Sequence, residues 1–234
     1  MKVGLLVCDH VSPDLVSISG DYDAMFRRLF VDHPEIAIVA YDSIRGEMPT
    51  SATECDAWLT TGSRHSVNDD APWIRELEEL VRAIDREAIP FVGICFGHQL
   101  LARALGGVVG VSDRGWGLGI MKVEIASSLS FVPEGVGSFS VFNSHAEQIE
   151  RLPDGGEVVG WNDHCPVSMM TVGESMLGMQ GHPEMDLEYA AALVDSRRGT
   201  QLPEAAAVEA LASLAAGADT QVVSRMIVSF IRGV

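Results

Sequence analysis

Positive charge is scarce in this chain. Its 234 residues carry 16 Lys and Arg against 33 Asp and Glu, a formal net charge of −17. The basic clusters that hold a phosphate backbone or an anionic lipid surface are therefore missing, which excludes nucleic acid and membrane as partners and leaves a small neutral or zwitterionic molecule. Cysteine is sparse too. Cys8, Cys55, Cys95 and Cys165 are scattered with no CxxC pair, a pattern that disfavours both a zinc site and a redox dithiol. No metal or organic cofactor is expected. Long apolar runs are absent, and the short one at Met1–Cys8 meets Asp9 and His10 at once, so it reads as a first strand and not as a signal peptide. A cytoplasmic, reducing location is expected from this, and it suits a working thiolate. No P-loop, internal repeat or low-complexity tract is present.

What is there suffices for a sizeable core. Hydrophobic residues make up 47% of the chain, and no linker divides it, so residues 1–234 read as one α/β domain with a helical tail from about 200 to 234. The first half alternates strand and helix patterns, the sign of parallel strands with crossover helices. Strands are expected over 2–8, 35–41, 56–61 and 90–94, and helices over 21–31, capped near Asp21, and from Pro72, where Ile74, Leu77, Leu80, Val81 and Ile84 fall at helical spacing. A helix over 97–106 stops at Gly106-Gly107. Short β-like segments follow at 107–111, 118–125, 138–142, 157–161, 166–170 and 175–180, expected as antiparallel additions to one sheet edge. Helices are expected at 186–197, 203–216 and 219–232.

Chemistry concentrates in two places. In the run Phe91-Val92-Gly93-Ile94-Cys95-Phe96-Gly97-His98-Gln99-Leu100-Leu101, an apolar strand ends on a cysteine and passes through glycine into a helix. A sharp strand-to-helix turn lifts its side chain above the sheet edge, and the new helix points unpaired N–H groups at whatever that side chain attacks. Partial positive charge at a helix N-terminus also favours thiolate over thiol. Cys95 is the candidate nucleophile. A second apolar strand ends in Gln180-Gly181-His182-Pro183-Glu184. Pro183 pushes His182 into an extended conformation, so Glu184 can hold one ring nitrogen while the other faces Cys95, the logic of nucleophile, base and orienter. A lone cysteine or histidine at a strand end is usually packing, but the flanking glycines and the His-Pro-Glu arm outweigh that reading here.

These two segments resemble the signatures of class I, triad-type glutamine amidotransferases, and more narrowly the small stand-alone proteins similar to the amidotransferase part of GMP synthase, which include γ-glutamyl peptidases. Thr60-Thr61-Gly62-Ser63 falls where that family places its oxyanion loop, and Ser144-His145-Ala146-Glu147 where it has a substrate-contacting strand end. The resemblance spans roughly residues 1 to 195. It implies a flavodoxin-like fold, a mostly parallel central sheet flanked by helices, with antiparallel edge strands and the site at the carboxyl ends of the strands. It also implies cysteine-dependent hydrolysis of the γ-amide of glutamine by Cys95, His182 and Glu184 through a γ-glutamyl thioester.

In this reading, backbone N–H groups of Phe96 and near Gly62 hold the oxyanion. Gln99 is a candidate to reach the α-carboxylate or α-amino end of the substrate, against an amide that packs within the helix. Ser144 and His145 contact substrate mainly through backbone, and His98 is structural. Arg64 and His65 depart from the smaller loop of relatives, and Arg64 is a candidate bidentate ligand for a substrate carboxylate, against a solvated loop. Two leaving groups stay open: ammonia delivered to a separate synthetase subunit, or the amine of a γ-glutamyl peptide hydrolysed without one. A non-catalytic protein with Cys95 as a sensor is a third reading, disfavoured because a sensor needs no His-Pro-Glu arm.

Overall fold

Strands that read as unbroken apolar runs belong in the middle of a sheet, where both faces are covered. In the computed structural model, which describes residues 1–126 and 129–233, β3 (Ala57–Thr60) and β4 (Phe91–Ile94) occupy that position and every residue in them is buried. β1 (Lys2–Leu6) pairs in parallel with β2 (Ala37–Tyr41) on one side and β3 on the other, and β3 pairs in parallel with β4. The crossovers are α1 (Val16–Ser19) with α2 (Tyr22–Leu29), then α3 (Pro72–Arg86), and α4 (Phe96–Ala104) leaves β4. Asp21 caps α2, its Oδ1 accepting from the Tyr22 N–H at 2.9 Å. Pro72 opens α3, whose Ile74, Leu77, Val81 and Ile84 are buried as their spacing requires.

The second half supplies β5 (Val108–Val111), β6 (Gly117–Ile125), β7 (Ser138–His145), β8 (Glu147–Arg151), β9 (Gly156–Trp161), β10 (Met169–Val172) and β11 (Met176–Met179). They extend the sheet to nine strands in the order β2-β1-β3-β4-β11-β10-β9-β6-β7, parallel as far as β11 and antiparallel beyond it. β11 returns beside β4 with Met179 level with Ile94. The residues after each strand, Cys95 and Gln180, therefore leave the sheet side by side.

Two expectations need correction. Segment 107–111 does not join the main sheet: β5 pairs with β8 in a separate two-stranded sheet, and β8 escapes a periodicity reading because Ile149 is its only buried residue. The strand expected at 166–170 starts at Met169, because the Asn162 side chain accepts the N–H groups of His164 and Cys165 at 2.9 and 2.7 Å and holds a turn there.

The C-terminal helices are α5 (Leu187–Arg197), α6 (Glu204–Ser213) and α7 (Thr220–Arg232). The helical region after residue 200 packs onto the sheet. Val223, Met226 and Ile227 of α7 are fully buried with Leu5, Val92, Ile94 and Leu177 on one face of the sheet, while α3 and α4 cover the other. α6 lies on β6, where Ser213 Oγ accepts the Ile120 N–H at 2.8 Å.

Close packing of α4 on the sheet depends on Gly97, because a Cβ there would overlap the Thr60 side chain. Gly97→Ala is expected to cost about 1–3 kcal/mol as overpacking against a covered strand, read as a lower urea midpoint at unchanged slope. A midpoint equal to the parent's would show that α4 does not need this close approach.

Candidate active site

Cys95 sits where β4 ends and α4 begins, at φ +50° and ψ −99°. Positive φ in a residue with a Cβ costs on the order of 1–3 kcal/mol and persists only where the surroundings impose it. Here the Cys95 N–H donates to Met179 O at 2.8 Å and its carbonyl accepts the Gln99 N–H at 3.1 Å, so both sides of the residue are pinned. α4 starts at Phe96 with no side-chain cap, which leaves its first N–H groups open at the thiol. The Phe96 ring is buried and stacks on Trp73 at 5.4 Å. The ring thus packs away from the pocket, which Phe96 does not line.

His182 follows β11 after Gln180 and Gly181, and its N–H donates to Phe142 O of β7 at 2.7 Å. Its Nδ1–H donates to Glu184 Oε1 at 2.7 Å, with both side chains almost wholly buried. Burial alone would depress the imidazolium. The neighbouring Glu184 carboxylate and Cys95 thiol outweigh it and hold the His182 pKa above its ordinary value. The ring lies against Gly62, where a Cβ would come within 2.6 Å of Cε1 and 3.6 Å of Cys95 Cβ. Gly62 thus brings the β3 loop, the imidazole and the thiol together, as only a residue without a side chain can.

A chain of amides orders the opposite wall. Gln99 Nε2 donates to Glu147 O at 2.7 Å and to Gln180 Oε1 at 3.2 Å, and Gln180 Nε2 donates to Cys95 Sγ at 3.5 Å. The Glu147 carboxylate accepts Ser66 Oγ–H at 2.9 and 2.8 Å. Gln99, Ser144 and His145 all line a pocket of about 380 Å³ that opens on Cys95 and His182, within the size range of small-molecule sites. Burial pushes His145 down to about 3 and His98 down to about 4, so neither is charged near neutrality. Their Nδ1–H and Nε2–H donate to the carbonyls of Glu147 and Val167, at 3.1 and 2.9 Å. Among the described residues, no group of three or more His, Cys, Asp or Glu side chains gathers to hold a metal.

Arg64 stands apart from its expectation. Its Nε and Nη2 donate to the buried Asp9 carboxylate at 2.8 and 2.9 Å, and Nη2 also donates to His10 O at 2.9 Å. The fork that would grip a substrate is spent on β1's following loop. Sequence reasoning did not single out Gln180, Tyr22, Trp116, Met185 or Arg197 as site residues. Gln180 had a usable signal, since it ends the strand that also delivers His182. Met185 directly follows the His-Pro-Glu arm, whereas Tyr22, Trp116 and Arg197 come from distant segments and carry none.

Replacing Glu184 by Gln leaves burial unopposed by the carboxylate, so the His182 pKa is expected to fall below its parent value in an NMR titration of the imidazole. The parent pair favours the protonated ring more in the folded than in the unfolded chain. Its stability contribution is therefore complete below the ordinary histidine value of about 6.5 and fades as pH rises through the elevated folded value. An unshifted titration in Glu184→Gln would contradict the assigned cause.

The glutamine amidotransferase class-I family model matches residues 24–194. Gamma-glutamyl peptidase 3 of Arabidopsis thaliana is 28% identical over 169 residues, covering 69% of this chain and 68% of that one. The glutamine-hydrolyzing GMP synthase of Clostridium acetobutylicum is 30% identical over 73% of this chain, which spans only 32% of that larger protein. The crystal structure of a glutamine amidotransferase from Thermotoga maritima superposes with a TM-score of 0.77 at 21% identity, covering 98% of this chain and 97% of that one, and so shares its fold. With the family model spanning most of its length, and with a strand-end cysteine beside a buried His-Glu pair, this chain belongs to the class-I glutamine amidotransferase family.

Proposed function

We propose that the protein hydrolyses the γ-amide of glutamine or of a γ-glutamyl compound, with Cys95 as nucleophile, His182 as acid and base, and Glu184 as its orienter. The observation that carries this reading is the convergence of a strained, strand-end thiol with a buried imidazole whose far nitrogen is fixed on a carboxylate at 2.7 Å. Cys95 Sγ attacks the γ-carbonyl carbon, and the carbonyl oxygen turns toward the N–H of Phe96 and a backbone N–H beside Gly62. Each such donor typically contributes ~3 kcal/mol to the transition state. His182 gives its proton to the departing amine, leaving a γ-glutamyl thioester. The neutral imidazole then takes a proton from water, which attacks the thioester and releases glutamate. The Gln180 amide beside Sγ and the Gln99 amide behind it hold the thiol's surroundings in place.

The leaving amine separates two forms of this activity. Ammonia would pass to a separate synthetase subunit, as the likeness to one third of GMP synthase suggests. An amino acid or peptide would leave if the protein acts as a γ-glutamyl peptidase, and the similarity to Gamma-glutamyl peptidase 3 favours this second form. We read residues 1–234 as one catalytic unit, since α5 lines the pocket and α7 closes the same sheet. A reducing compartment is supported by the four unpaired cysteines. No helix among the described residues is long and apolar enough to cross a membrane.

Purified protein is expected to release glutamate from glutamine, from a γ-glutamyl dipeptide, or from both. Cys95→Ala should abolish that release, and Glu184→Gln should lower it by roughly 10²–10⁴-fold, the range for losing the orienting member of such a set. Glutamate release that persists in Cys95→Ala would sink the proposal.

A further inference from the structure

We infer that Arg197 of α5 receives a carboxylate of the leaving group, which makes the preferred substrate a γ-glutamyl amino acid or peptide with a free C-terminal carboxylate. This rests on the hydrolase reading above and names its substrate class. In a chain with a net charge of −17, two guanidinium groups line the pocket, those of Arg64 and Arg197. Arg64 is neutralised by Asp9. Arg197 is not: its Nη1 donates to the neutral Ser144 Oγ at 3.0 Å, and no carboxylate lies within ion-pair distance of it among the described residues. The neighbouring acids are engaged elsewhere, with Asp195 and Glu204 both on Arg198. The end of α5 is also fixed, because Arg197 O accepts the N–H groups of Thr200, Gln201 and Leu202.

Its position puts Arg197 on the leaving-group side. The departing amine must lie toward His182, which protonates it, and His182 is hydrogen-bonded to Phe142 of β7. Ser144 lies two residues further along β7, lines the pocket, and its Oγ accepts from Arg197 Nη1. Leu193, one turn before Arg197, and Met185, three residues after His182, line the same pocket. The opposite wall carries the Glu147 carboxylate, which suits the α-ammonium of the γ-glutamyl group. A γ-glutamyl dipeptide laid across Cys95 thus meets an anion at its amino end and a cation at its carboxyl end.

Calorimetric titration of Cys95→Ala protein, which keeps the pocket and forms no thioester, tests this with γ-glutamylglycine, its C-terminal amide, and glutamine. Adding Arg197→Gln should weaken γ-glutamylglycine by about tenfold or more relative to the other two, the scale of one charge-assisted pair. Arg197→Lys should restore part of that loss. Equal weakening of all three ligands would assign Arg197 to the α-carboxylate they share and overturn the inference. So would no weakening of any, or no binding of γ-glutamylglycine to the Cys95→Ala parent. Failure of the hydrolase reading shows separately, as an absence of glutamate release by protein with Cys95 intact.

Discussion

The site depends on one register. β11 lies parallel to β4 with Met179 opposite Ile94, so two chain segments more than eighty residues apart finish level and turn out of the sheet together. The bond from Cys95 N–H to Met179 O, at 2.8 Å, is the last rung of that ladder and also the clamp on the strained cysteine. A slip of one residue would reverse the faces of β11 and carry His182 away from Cys95. The glycines around the turn serve the same end: Gly97 lets α4 close on Thr60, and Gly62 lets the imidazole sit between β3's loop and the thiol.

Burial then shapes the chemistry. His98, His145 and His182 are all buried, but only His182 has a carboxylate on its ring nitrogen. The first two are driven neutral, and the third is held protonated more firmly than a free histidine. Environment, not residue type, singles out the imidazole that can exchange a proton near the thiol. The same logic separates the two arginines of the pocket, one paired with a buried aspartate and the other with a neutral hydroxyl.

Much of this was legible in the sequence, because the strongest signals are local. The strand-cysteine-glycine-helix run and the strand-Gln-Gly-His-Pro-Glu run each encode their own geometry over about ten residues. The parallel first half follows from apolar runs bounded by turns. What the sequence hid is long-range. β8 offers one apolar residue and gains its strand only from pairing with β5. Arg64 looks free until Asp9, 55 residues away, is folded beside it. Arg197 sits in a helix of weak amphipathic pattern, and nothing in its neighbourhood along the chain announces that it will line the pocket.

The most direct test of the account is peptide mapping after exposure to a chloroketone analogue of glutamine, with glutamine or γ-glutamylglycine as protecting ligand. The account predicts alkylation confined to Cys95 and suppressed by the ligand, while the other buried cysteines, Cys8, Cys55 and Cys165, stay unmodified. Labelling spread over several cysteines, or labelling of Cys95 that neither ligand slows, would contradict it.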